Sequence, residues 1–180
     1  MNFAISCCGY GCCSSSKMRE ARVSQSEIGG VYDKLAGIYD IWGMLTESRA
    51  RKRAIELAKI EDGSTIMEVA VGTGLAFYEI TKRNPHGENT GIDLSRGMLK
   101  KAEKRLEKLS GANFTLSTGT AFNIPTRDNS IDVLMNSYIV DLMTDTDMDK
   151  VLKEFRRVLK EQGRLIMVNM TTDERFGSNI

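Results

Sequence analysis

Beyond its thirteenth residue this chain contains no cysteine. No disulfide framework can staple the body, and nothing in it requires an oxidising compartment, so the cytoplasm is the default expectation. Long apolar runs are missing too. No stretch approaches the ~20 residues that a membrane-crossing helix needs, so no stable membrane insertion is expected. Charge of one sign is also lacking: 25 Lys and Arg face 24 Asp and Glu, for a formal net charge of +1. That balance supplies no general electrostatic drive toward nucleic acid. The one histidine, His86, sits in a Pro85-His86-Gly87 loop, where a solvated role is expected ahead of a general-base role. What is present is a hydrophobic fraction of 41%, too high for a disordered chain. At 180 residues it buries about two-thirds of its unfolded surface and fits one domain.

The four cysteines, Cys7, Cys8, Cys12 and Cys13, share residues 1–30 with the run Ser14-Ser15-Ser16 and with no apolar periodicity. Residues 1–30 are therefore expected to be a disordered Cys/Ser-rich tail, with Met18 as an alternative start, and residues 31–180 the folded domain. Metal binding and palmitoylation are the functional alternatives for the tail. A zinc site usually draws on two ligand pairs separated by a longer loop, and adjacent cysteines are geometrically poor partners. No metal site is expected. Residues 1–6 are too short for the apolar core of a secretory signal.

From residue 31 onward the pattern alternates between helix and strand. A helical stretch over 31–59, broken near Gly43, places Tyr32, Leu35, Ala36, Tyr39 and Trp42 on one stripe. Apolar runs over 64–71, 91–94, 113–117, 131–140 and 164–169 predict five strands. The run over 131–140 is nearly continuous, as in a strand covered on both faces. Residues 95–109 predict a helix capped by Ser95, with Met98, Ala102, Leu106 and Leu109 inward. Residues 147–160 predict another, with Val151, Phe155 and Val158 on its buried stripe, Leu152 and Leu159 beside it, and Gly163 ending it. This alternation implies an α/β fold: a Rossmann-like, doubly wound, mostly parallel sheet whose ligands bind at the carboxyl ends of the strands.

Glu68-Val69-Ala70-Val71-Gly72-Thr73-Gly74 closes the first of these strands and opens a helix. Small residues there let a ligand approach the backbone, and the helix start offers free N–H donors. Nineteen residues past Gly74, at the end of the second strand, stands Asp93. Its carboxylate can accept both hydroxyl protons of a ribose diol. A dinucleotide fingerprint would place its last glycine three residues beyond the second. Here Ala70, Gly72 and Gly74 are spaced by two and Leu75 and Phe77 follow, which disfavours a nicotinamide (NAD(P)) oxidoreductase.

The spacing closely resembles motif I of the class I S-adenosylmethionine-dependent methyltransferases, [DE]-x-[GA]-x-G-T-G. Gly91-Ile92-Asp93-Leu94-Ser95-Arg96-Gly97-Met98-Leu99 resembles the family's second motif. Ala121-Phe122-Asn123-Ile124-Pro125 with Asp128-Asn129-Ser130-Ile131-Asp132 resembles the segment before its fourth strand. Arg157-Val158-Leu159-Lys160-Glu161-Gln162-Gly163 is similar to its R-V-L-K-P-G-G element. The stretch Tyr32-Asp33-Lys34-Leu35-Ala36-Gly37-Ile38-Tyr39-Asp40 looks like the start of the ubiquinone/menaquinone-methyltransferase-like branch. The resemblance covers about residues 31–170 and rests on five ordered motifs.

By position, the resemblance implies S-adenosyl-L-methionine as cofactor and a small organic molecule as methyl acceptor. Gly72, Thr73 and Gly74 would surround the methionine and ribose portion, Asp93 would hold the ribose hydroxyls, and Thr120 with Ala121 would border the adenine. Ser137 would lie near the methyl donor and Tyr39 would close over it. Many family members carry an acid at the position of Thr120, and quinone-type members carry Gly-Leu-Arg-Asn where Ile139-Val140-Asp141-Leu142 stands here. Tyr138 and Asp141 are the general-base candidates if the acceptor must lose a proton. Asp145, Asp147 and Asp149 read as acids at a helix start. Arg49, Arg51, Lys52 and Arg53 read as a solvated face, with anionic lipid headgroups as the alternative.

Relatives continue past the fifth strand with a helix and an antiparallel sixth and seventh strand, whereas here only residues 171–180 follow. The expectation is a fold short of those two strands, with an exposed fifth-strand edge open to homo-oligomer formation. A cofactor-binding remnant or regulatory subunit without activity of its own is the alternative function from another class.

Overall fold

A computed structural model describes residues 2–7, 48–140 and 143–169. In chain order these form strand β1 (Asn2–Cys7), helix α1 (Ser48–Ala58), β2 (Thr65–Val69), α2 (Leu75–Arg83), β3 (Glu88–Asp93) and α3 (Arg96–Leu106). There follow β4 (Phe114–Thr118), β5 (Ile131–Ser137), α4 (Asp145–Val158) and β6 (Leu159–Asn169). The six strands make one sheet of order β1-β6-β5-β2-β3-β4, and every pairing is parallel. The chain winds outward one way through β2, β3 and β4 and the other way through β5 and β6. The switch in strand order therefore falls between β2 and β5, and their carboxyl ends frame the place where a ligand crevice is expected.

Side chains alternate across a strand, and the two faces of the sheet are covered accordingly. Ile66, Val133, Met135, Ile166 and Val168 face α1 and α2, while Met67, Val69, Leu134 and Leu165 face α4. Helix α1 approaches closely because Ala50, Ala54 and Ala58 recur every four residues on its buried face. Its last carbonyls, on Ala58 and Lys59, accept from the Arg164 guanidinium of β6, which satisfies acceptors that a helix end leaves unpaired. Helix α4 buries the expected stripe of Val151, Phe155 and Val158. A third cluster, of Val71, Phe77, Ala102 and Leu106, seats α2 against α3.

Ser95 caps α3 as expected, its hydroxyl accepting from the Met98 N–H at 3.1 Å. At α4 the cap is Thr144, so the acids Asp145 and Asp147 lie in the first turn and oppose the helix dipole. Gly163 does not end that helix. Leu159 turns extended directly after Val158 and opens β6, and Gly163 lies within the strand against the Ile131 carbonyl. Strand β3 begins three residues earlier than its apolar run, because polar Asn89 is buried in a hydrogen-bonded network. The helical stretch expected over 31–47, and with it Tyr39, lies outside the described residues.

Two expectations change at the sheet edge. Residues 2–7, expected to be tail, form β1, and β1 pairs in parallel with β6 from Asn2↔Arg164 to Cys7↔Asn169. The edge of the expected fifth strand, here β6, is thus covered by this chain's own backbone and is not open for a second copy.

Candidate functional site

The loop between β2 and α2 cannot be built from ordinary residues. Gly72 (φ +56°) and Gly74 (φ +80°) take left-handed conformations, and so does Ala70 (φ +61°), which bears the steric cost of its Cβ. A Cβ on Gly74 would stand 2.8 Å from the Cβ of Ala102, so glycine there lets α2 and α3 touch. Among the described residues a Cβ on Gly72 would meet nothing within 4 Å, and they leave that side of the loop open.

Asp93 ends β3 beside this loop. Its Oδ2 accepts from the Gly72 N–H at 2.7 Å and its Oδ1 from the Ser95 N–H at 2.8 Å. The two halves of the sequence pattern, glycine turn and distant acid, are therefore locked together by one short hydrogen bond. Next to Asp93, Leu94 is 48% exposed at the same edge, an apolar surface beside a polar anchor. The Arg105 side chain of α3 steadies the loop from behind, donating to the Thr73 carbonyl at 2.9 Å.

Glu68, on the buried α1–α2 face of β2, is 2% exposed, and among the described residues its Oε2 has no hydrogen-bond partner. Burial pushes its carboxyl well above the usual range, the charge of Asp93 adds to the rise, and Arg51 opposes it. Glu68 thus holds its proton more tightly than an ordinary carboxyl, directly beneath the glycine loop.

The wall beyond β4 is held by α4. The Thr120 hydroxyl accepts from the Phe122 N–H at 3.3 Å in a tight turn, and Ala121 is buried in the α4-side core. Arg157 donates to Glu154, Asp128 and the carbonyls of Thr126 and Ile124, while Glu154 also accepts from the Ile124 N–H. That hub fixes residues 124–128 onto the helix. Strand β5 ends at Ser137, short of the expected residue 140, because Tyr138 turns left-handed (φ +62°) and donates its N–H to the Val168 carbonyl. The Tyr138 ring packs against the α1-side core. Asp141 lies outside the described residues.

The structure therefore brings Gly72, Thr73, Gly74, Asp93 and Ser137 to one edge of the sheet with the Thr120–Ala121 turn. Glu68, Leu94 and Asn136 were not singled out from the sequence. Glu68 and Leu94 stood within quoted motifs without a role of their own, and a strand interior gives no sign that a polar residue lacks partners. His86 lies at the opposite end, exposed, with Nδ1 2.7 Å from Asp62. The basic run on α1 lines a cavity of about 280 Å³ between α1 and α2, with Arg51, Lys52, Ile55, Glu79 and Arg83 at its walls, and ion pairs such as Arg83–Glu79 remain solvated there. Among the described residues no group of acids, histidines and cysteines is arranged to hold a metal, and no helix is long and apolar enough to cross a membrane.

A family model described as "Methyltransferase domain" matches residues 60–180. The chain belongs to the methyltransferase domain family. Among curated relatives, the demethylmenaquinone methyltransferase of Thermotoga maritima is 32% identical over 144 residues, which are 78% of this chain and 60% of that protein. The one from Lactococcus lactis is 30% identical over 163 residues, 86% of this chain and 61% of that protein. The methyltransferase domain described here thus spans about three-fifths of the length of these relatives. Its fold is shared with a solved SAM-dependent methyltransferase from Aquifex aeolicus, at a TM-score of 0.60 and 22% identity, covering 72% of this chain and 68% of that one.

Proposed function

We propose that this methyltransferase domain binds S-adenosyl-L-methionine across the carboxyl ends of β2, β3 and β5 and transfers its methyl group to a small organic acceptor. The observation that carries this reading is the 2.7 Å hydrogen bond from Gly72 to Asp93, which presents an open glycine turn and a fixed carboxylate side by side. The residues present fit the cofactor. Among the described residues there is room above Gly72 for an extended chain, the Asp93 carboxylate stands beside it where ribose hydroxyls would donate, and exposed Leu94 offers an apolar face to a flat base.

When bound, the cofactor supplies a methyl group already activated on a sulfonium, and the sulfur keeps the bonding electron pair as the methyl leaves. The chain's task is alignment and exclusion of water. Gly72, Thr73 and Gly74 cradle the methionine and ribose portion, Asp93 anchors the diol, and the Thr120–Ala121 turn borders the adenine, held by the Arg157 hub. Ser137 lies toward the reacting centre. Tyr39 closes over the site in this reading, and Asp141 takes the acceptor proton where one must leave, the Tyr138 ring being turned to the α1-side core.

The name of the relatives supports a menaquinone precursor as the first acceptor to assay. The substitution of Ile139-Val140-Asp141-Leu142 for Gly-Leu-Arg-Asn places the difference from quinone-type members on the acceptor side. Calorimetric titration with S-adenosylmethionine, S-adenosylhomocysteine and NAD tests the reading. Binding of the two methionine compounds is expected, and binding of NAD alone would sink it.

A further inference from the structure

Asn136 is fully buried near the carboxyl end of β5, and among the described residues neither Oδ1 nor Nδ2 of its carboxamide has a hydrogen-bond partner. Alternation along β5 turns it to the α4 face with Leu134, and in register it stands between Val69 of β2 and Met167 of β6. A buried amide without partners forfeits the hydrogen bonds it made to water, which is why native interiors rarely hold one. The same sheet shows the ordinary case. At its amino end, Asn84 Oδ1 accepts from the Gly63 and Ser64 N–H groups, while its Nδ2 donates to the Ser64 carbonyl and to Asn89 Oδ1. Asn89 Nδ2 in turn donates to the carbonyls of Asn84 and Asn113. A second buried orphan, Asn169 Oδ1, ends β6 on the same face as Met167. Paired asparagines thus sit at the amino end of the sheet, while at its carboxyl end Asn136 is unpaired and Asn169 has one unpaired oxygen.

We propose that the Asn136 carboxamide hydrogen-bonds the methyl acceptor, and that the acceptor is a neutral, largely apolar molecule carrying a hydroxyl or carbonyl group. Neutrality follows from the surroundings. Among the described residues the core cluster on this face is apolar, with Phe122, Ile139 and Met143 along its border, so a neutral group suits it better than a charged one. A carboxamide complements a hydroxyl in both senses, since Oδ1 accepts its proton while Nδ2 donates to an oxygen lone pair. The proposal rests on the methyl-transfer reading, in which the cofactor's polar groups are met by the glycine loop and Asp93, leaving this amide for the acceptor.

The test separates the two claims. Calorimetry of the full chain with S-adenosylhomocysteine comes first, and a native protein that does not bind it fails the methyl-transfer reading itself. With that compound bound, the protein is titrated anaerobically with 1,4-dihydroxynaphthalene and with 1,4-dimethoxynaphthalene, which keeps the ring and removes both O–H donors. The native protein is expected to favour the diol at least about tenfold. Asn136→Leu, close in shape, is expected to lose that preference, to keep its affinity for S-adenosylhomocysteine, and to melt at a higher temperature because the orphaned amide is gone. Asn136→Ala is the second variant and should lose the preference as well. Absent or equal binding of the two probes by the native protein would overturn the proposal. So would an unchanged preference in both variants, or a lower melting temperature in Asn136→Leu, which would mean that the amide is already paired in the free chain.

Discussion

Replacing Glu68 with glutamine gives the most direct reading of the electrostatics under the glycine loop. The folded chain holds the Glu68 carboxyl protonated well above the usual range, chiefly through burial and secondarily through the charge of Asp93. The unfolded chain releases that proton near pH ~4.3. Below that value both states carry the proton and the group contributes its full stability. As pH rises, only the unfolded state loses its proton, and stability falls by about 1.4 kcal/mol per pH unit until Glu68 ionises in the folded chain too. The glutamine of the variant cannot ionise, and every other titrating group is common to both proteins. Urea unfolding at pH 4, 5, 6 and 7 is therefore expected to show the native protein losing ground to Glu68→Gln with that slope from pH 5 upward. A constant offset at low pH would report only the change in packing. Parallel stability curves across the whole range would refute the tightly held Glu68 proton.

Asp93→Ala is expected to abolish S-adenosylhomocysteine binding in calorimetry; because Asp93 also holds the Gly72 and Ser95 N–H groups, it should lower stability by about 2 kcal/mol as well. Unchanged affinity would remove Asp93 from the site. Arg157→Ala should cost about 1–2 kcal/mol, the partial exposure of the guanidinium limiting the loss, and should open residues 124–128 to limited proteolysis. Arg157→Lys should not restore the protection, since one ammonium cannot serve all of those acceptors. Gly74→Ala should destabilise the fold by about 2–3 kcal/mol, and adding Ala102→Gly should recover little of it, because the Ala102 Cα would still stand 2.9 Å from the new Cβ and φ stays at +80°.

The central sheet and the juxtaposition of the glycine loop with Asp93 are legible in the sequence because both leave local marks. Strand β5 is a run of apolar residues, α4 repeats Val151, Phe155 and Val158 at helical spacing, and Gly72, Gly74 and Asp93 stand at fixed distances in the chain. What is not legible depends on partners remote in sequence. Strand β3 starts at polar Glu88 because Asn89 finds Asn84 and Asn113, and no hydrophobic pattern announces such a network. Gly163 reads as a helix stop, yet the chain turns extended at Leu159 because Ile131 and β5 offer a ladder to join. Residues 2–7 carry no period that sets them apart from the cysteines that follow, and only the waiting edge of β6 makes them a strand. Asn136 reads as one more residue in an apolar run. Its significance lies in hydrogen bonds it does not make, which a sequence does not display.

The pairing of β1 with β6 has a kinetic side. Phe3 lies opposite Leu165, so forming that ladder closes a loop of roughly 160 residues, at a chain-entropy cost of about 4–5 kcal/mol before any added constant. Only one row of backbone hydrogen bonds returns that cost, whereas β5 and β2 are each flanked on both sides. Contacts so distant form late in folding and open early in the native state. Amide exchange should therefore be fastest in β1 and along the side of β6 that β1 covers, slower by orders of magnitude in β2 and β5. Each brief opening frees the rim of the sheet to pair with another molecule. The shelf life of the protein in solution would then be set by how often six residues lift away, well before the core comes apart.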